Sequence, residues 1–138
     1  MTLTLVGYCN SLPELSGRVF LDTAPAVPAT PYAIVYDAPG GIQQPFYGGA
    51  DLTAVYPSVT VYHKPITGGS AQQARLELMA IMTKLQQAHR SVDAHSDGVT
   101  PYAPGSVQRA SEFSPMPDRA VQGQLYATVR FVAYIMRG

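Results

Sequence analysis

Very little of this chain is charged. Asp, Glu, Lys and Arg make up 13% of 138 residues, nine basic against nine acidic, and no lysine or arginine cluster stands out. The phosphate-neutralising footprint of a nucleic-acid binder is therefore missing. Cysteine occurs once, at Cys9, which excludes an internal disulfide framework. A lone thiol without an arranged His or Lys partner reads as a small buried apolar residue in a reducing compartment. No apolar run approaches the length needed to cross a bilayer, and Met1-Thr2-Leu3-Thr4-Leu5-Val6 lacks the basic start and length of a secretory signal. The expectation is a soluble chain without a membrane partner.

Chemistry-bearing patterns are equally scarce. His63, His89 and His95 show no short metal-site spacing and read as ordinary surface or loop histidines. Ser58 and Ser111 lack the G-x-S-x-G context of a nucleophile elbow. Gly68-Gly69-Ser70 lacks a nucleotide-binding frame, and a glycine stop followed by a helix cap accounts for it. The nine carboxylates fall mostly in expected loops, and no two pair convincingly. These gaps point to a non-enzyme with no catalytic residue, no cofactor and no metal.

What is present is a set of clear structural signals. At 138 residues the chain reads as one domain over 1–138, long enough to bury a core. From Val55 to His63, residues Val55, Pro57, Val59 and Val61 alternate with Tyr56, Ser58, Thr60 and Tyr62, the period of a half-buried strand. Pro57 cannot donate a ladder hydrogen bond, so it is expected near the strand's start or on an edge. Ser70 with Gln73 three residues on forms a capping-box pattern that starts a helix at Ala71. Ala74, Leu78, Ile81, Leu85 and Ala88 make its apolar stripe, whereas Leu76, Met79 and Ala80 lie on its flank or back.

Elsewhere, a short helix is expected over Leu3 to Leu12, weakened by Gly7 and Asn10 and ended by Pro13. Strands are expected at Arg18–Leu21, Tyr32–Tyr36, Val107–Phe113 and Leu125–Met136, with Ser114–Asp118 breaking the third. Pro25, Pro28 and Pro31 make an extended connector. Ile42–Leu52 suits a long hairpin arm or surface loop, and 91–106 a polar excursion; loops near 37–54 and 91–106 are expected to be mobile. The simplest architecture is α+β: a mixed, mainly antiparallel sheet covered on one face by the central helix, with a short N-terminal helix.

The order of these pieces resembles the tail terminator proteins of long-tailed bacteriophages and the related minor tail and head-tail joining proteins. The matching residues are Gly17-Arg18-Val19-Phe20 with Pro25 after them, Pro31-Tyr32-Ala33-Ile34-Val35-Tyr36 leading to Pro39-Gly40-Gly41, and Pro57-Ser58-Val59-Thr60-Val61-Tyr62. They continue with the helix bearing Ala74, Leu78, Ile81 and Leu85 and the strand Gln124 to Tyr134 behind Asp118-Arg119. The first helix and the excursion over 91–105 depart from the pattern, which leaves terminator against neighbouring joining protein open. The resemblance implies an α+β subunit of the virion, assembled in the host cytoplasm. It forms a homo-oligomeric, six-membered ring that caps the head-proximal end of the tail tube, stops growth of the tube protein and presents a surface to the head-tail connector protein.

Low charge together with 12 Pro and 12 Gly agrees with a surface used for contacts. A closed ring needs two different patches per subunit. One is assigned to Leu76, Met79 and Ala80, the other to Tyr126, Val132 and Tyr134 on the last strand. Phe46 and Tyr47 form the candidate arm. A reading from another class is a small-ligand binding domain whose pocket is lined by Tyr8, Tyr32, Tyr36 and Tyr62.

Overall fold

A computed structural model of the chain describes residues 2–25, 28–38, 43–45, 51–65, 69–86, 108–109, 115–118 and 123–137. Two helices and seven strands follow in the order α1 (Thr2–Ser11), β1 (Val19–Leu21), β2 (Tyr32–Ala38), β3 (Gln43–Pro45), β4 (Asp51–His63), α2 (Ala71–Gln86), β5 (Gln108–Arg109), β6 (Met116–Pro117) and β7 (Leu125–Arg137). The sheet runs β1-β2-β4-β7-β5, with β3 also paired to β4 and β6 also paired to β7. Among the described strand pairs only β1–β2 is parallel. This is the expected α+β architecture.

The alternation read in β4 and β7 decides which side of the sheet each residue serves. Val59 and Val61 of β4, Ala33 and Val35 of β2, and Ala127, Val129 and Phe131 of β7 are buried on one face. Onto that face α2 lays Ala74, Leu78, Ile81, Met82 and Leu85. Met82 widens the stripe read from the sequence, while Ala88 lies outside the described residues. From α1 come Leu5, Tyr8 and Cys9, so the short helix forms despite Gly7 and closes the same core. Each fully buried Leu, Val or Phe side chain stabilises the fold by about 1.5–3 kcal/mol.

The start of α2 uses half of the expected capping box. The Gln73 amide donates to Ser70 Oγ at 3.1 Å, but the Gln73 side chain turns to Glu77 Oε1 at 3.3 Å instead of returning to Ser70. The carboxamide NH₂ finds a charged acceptor one turn along the helix. Near the other end, Tyr8 Oη donates 3.0 Å to the Lys84 carbonyl, one of the last-turn acceptors that the helix itself leaves unpaired.

Two expectations are corrected. Pro57 is neither terminal nor on an edge: it sits inside β4, between β2 and β7. The β4–β7 ladder carries no bridge at Tyr56 or Pro57 and resumes in the same register, Val55 opposite Ala133 and Ser58 opposite Arg130. The missing N–H is thus absorbed by a local gap in pairing. Ser114–Asp118, read as a breaker, contains β6, which pairs Met116 with Tyr126 and Pro117 with Leu125. The arm expected over Ile42–Leu52 opens as a β3–β4 hairpin, Gln43 opposite Thr53. Its tip and the excursion over 91–106 lie outside the described residues.

Candidate interaction surfaces

Because successive strand residues face opposite ways, the residues between the core positions meet on the sheet face away from the helices. The register then sets like beside like. Tyr32 stands opposite Tyr62, and Tyr62 opposite Tyr126. Their rings form a row: Tyr32 and Tyr62 stack at 4.9 Å and 14°, Tyr62 and Tyr126 tilt at 6.0 Å, and Phe20 of β1 meets Tyr32 edge-on at 6.2 Å. Met116 flanks Tyr126 at the far end and is 52% exposed. Pairs of this geometry contribute about 0.5–1.5 kcal/mol each beyond burial of their area.

One step along the strands lies a hydroxyl cluster. Thr60 and Thr128 share a hydrogen bond of 2.8 Å, and Tyr36 Oη lies 3.3 Å from Thr60 Oγ1. Rings and hydroxyls line a groove of about 710 Å³ bounded by Tyr36, Tyr62, Tyr126, Thr128, Met116 and Asp118. Burial raises the Tyr62 phenol above its ordinary value, and the neighbouring Tyr32 and Asp118 add to the rise. Asp118 and Gln124 close the groove's end: the Asp118 amide donates to the Gln124 carbonyl at 2.8 Å, and Gln124 Nε2 donates to Asp118 Oδ2 at 3.1 Å.

The sequence-assigned residues divide as follows. Tyr126 lies in the aromatic row and Val132, half-buried, on the same face of β7. Tyr134 continues β7 opposite Ala54, with its side chain outside the described residues, as are Phe46 and Tyr47 entirely. Leu76 and Met79 are 61% and 38% exposed on the outer side of α2, beside exposed Ala80. Of the four tyrosines read as a pocket, Tyr32, Tyr36 and Tyr62 share the outer face. Tyr8 is on the other side of the sheet, in the core under α2. The complete row needed the strand register, which no local pattern supplies, although the parity of Tyr62 and Tyr126 within their strands was a signal.

His63 is the second correction among functional candidates. It is no surface histidine: it is 5% exposed, continuing the Val59–Val61 side of β4, and its Nε2 lies 2.6 Å from Glu77 Oε2 on α2. The same parity that buried Val61 buried it. Near it, Lys84 pairs with Glu14, and that bond holds the Glu14 carboxyl below the usual carboxylate range. Among the described residues no group of three or more His, Cys, Asp or Glu is placed to hold a metal ion, and no helix is long and apolar enough to cross a membrane. Cys9, wholly buried, has its thiol pushed up to about 12 by desolvation and is a packing residue.

No protein-family model matches the chain, and no curated protein matches it.

Proposed function

We propose that this chain is a structural virion assembly subunit of the tail terminator type, which associates with copies of itself into a ring, ends growth of a tail tube and offers a surface for head attachment. The observation that carries the reading is the aromatic row Phe20-Tyr32-Tyr62-Tyr126 on the sheet face away from the helices, in which Tyr32 is buried and Phe20, Tyr62 and Tyr126 are partly exposed, in a chain with only 13% charged residues. A surface facing only water is usually richer in charge, and aromatic residues are the ones enriched at the centres of protein interfaces. The exposed Leu76 and Met79 lie in the helical layer, on the opposite side of the sheet from that row. Two unlike patches in different layers suit the heterologous contacts of a ring. The motif order over the chain supplies the remaining support, and the reading assigns no reaction to it.

Sedimentation velocity and electron microscopy of the purified chain test the proposal. Closed rings that cosediment with tail tubes are expected. A strictly monomeric species at high concentration, with no binding to tubes, overturns it. Pull-downs against tube protein and connector protein separately distinguish a terminator from a joining protein, since preference for the connector alone favours the second.

A further inference from the structure

The groove of about 710 Å³ on the sheet face away from the helices is shaped by the strand register. Thr60 stands opposite Thr128 in one cross-strand rank. Tyr62 stands opposite Tyr126 in the rank on one side, and Tyr36 opposite Ser58 in the rank on the other. Short side chains between longer rings leave a trough with a hydroxyl floor and aromatic walls, which Met116, Pro117 and Asp118 bound on the β6 side. Its volume lies within the roughly 300–1,000 Å³ of small-ligand sites.

The lining restricts the chemistry of an occupant. Among the described residues that form it, none is Lys, Arg or His, and Asp118 supplies the one carboxylate, so a phosphate, sulfate or carboxylate ligand finds no counter-charge there. Tyr36, Thr60 and Thr128 each bring one hydroxyl proton, and the two hydrogen bonds within the cluster, 3.3 and 2.8 Å, use two of them. One donor and several lone pairs remain, so the cluster both donates and accepts. A carbonyl only accepts and an ammonium only donates, whereas an alcohol does both. Beside the hydroxyls, the partly exposed Tyr62 and Tyr126 rings and the exposed Met116 offer apolar surface. Electron-rich ring faces attract slightly positive C–H groups. A ligand that carries several hydroxyls around a compact ring with a C–H face satisfies both halves of this lining.

We propose that this groove binds a neutral pyranose sugar, with its hydroxyls on Thr128, Tyr36 and Asp118 and its ring C–H groups on Tyr126 and Met116. The sugar is either free or one unit of a polysaccharide. Asp118 accepts from sugar hydroxyls while Gln124 holds its Oδ2 at 3.1 Å. Tyr62 and Tyr126 also belong to the row assigned to subunit contact, so a sugar and a neighbouring subunit exclude each other at this face. The site itself does not rest on the assembly reading.

The test is methyl NMR of the full ¹³C-labelled chain, kept dilute, following the Thr128 and Met116 methyls during titration with methyl glucoside, methyl galactoside, methyl mannoside and maltose, then with soluble amylose and dextran. Sorbitol, which has the hydroxyls without the ring, glucuronate, which adds a negative charge, and a triproline peptide are the controls. Saturable shifts of both methyls with at least one neutral sugar, and none with the controls, are expected. Thr128→Val, which keeps the shape and removes the hydroxyl, is expected to weaken binding at least tenfold as read at Met116, and Asp118→Asn severalfold, with circular dichroism native in both. Leu76→Ser with Met79→Ser, on the other side of the sheet, is expected to leave it unchanged. Shifts with the small sugars identify a free ligand, and shifts with the polymers alone identify a polysaccharide unit. Methyls unmoved by every sugar and polymer, an equal response to any control, or full affinity in Thr128→Val overturns the proposal. Sugar binding by a chain that forms no ring overturns only the assembly reading, and rings from a chain that binds no sugar overturn only this site.

Discussion

The two faces of β7 are built from alternate residues of one strand, yet they answer to different demands. Toward the helices, Ala127, Val129 and Phe131 are sealed and purely apolar. Away from them, Tyr126, Thr128 and Val132 are half-buried and Arg130 is exposed, so this face mixes ring, hydroxyl and methyl surface with one charge. The first face holds the fold together by removing area from water. The second keeps area partly in water in a chain whose composition offers little charge to cover it. The lesson is that the pleat separates stability from contact residue by residue, so substitutions two positions apart are expected to fail in different ways.

The sharpest way to break the comparison is Phe131→Ala against Tyr126→Ala. Phe131 is the largest fully buried side chain among the described residues, and its truncation is expected to cost about 3–5 kcal/mol in chemical denaturation. Tyr126→Ala is expected to cost about 1 kcal/mol through its lost ring contact, and to abolish association measured by sedimentation. Equal stability losses, or unchanged association, would erase the distinction between the faces.

A second contrast uses pH. The Cys9 thiol moves from 9.0 in the unfolded chain to about 12 in the fold, so the unfolded state loses its proton first. Stability is then full below pH 9 and falls as pH rises between the two values, by about 1.4 kcal/mol per pH unit. Urea melts of wild type and Cys9→Ala from pH 8 to 11 should show a steeper decline for wild type. The raised Tyr8 and Tyr62 phenols act in the same direction from near pH 10 in both proteins.

Smaller effects sharpen the helical layer. Gly17 adopts φ +76° in the turn into β1, with open space where a side chain would go. Gly17→Ala is therefore expected to cost about 1–2 kcal/mol through backbone conformation alone, read by thermal denaturation. Ser70→Ala removes the cap on the Gln73 amide and should cost about 1 kcal/mol by the same measurement. Leu76→Ser with Met79→Ser should change stability least, within about 0.5 kcal/mol per site, while weakening ring formation.

How far these features could be read from the residues follows their range. Strand alternation and the α2 stripe are local, so β2, β4, α2 and β7 and their buried sides were legible. Met82 was missed because the stripe was drawn too narrow for a helix lying flat on a sheet. Pro57 misled because a missing donor was taken to exclude a central strand, whereas the ladder skips it. The β6 pairing depends on the chain returning beside β7, which no local signal encodes. The exposure of Leu76 and Met79 and the outward parity of Tyr126 were legible. The partnership of Tyr32 with Tyr62 and of His63 with Glu77 required registers and packing between distant segments.

The placement of β7 bears on how the molecule is made. It follows every other described element, yet it occupies the interior of the sheet, pairing along most of β4 and giving β5 and β6 their partner. During translation, β4 must wait with one side unmatched while the intervening residues are synthesised. Nascent chains stalled before Leu125 should therefore be protease-sensitive throughout the sheet, with protection arising late and all at once as the final strand clears the ribosome.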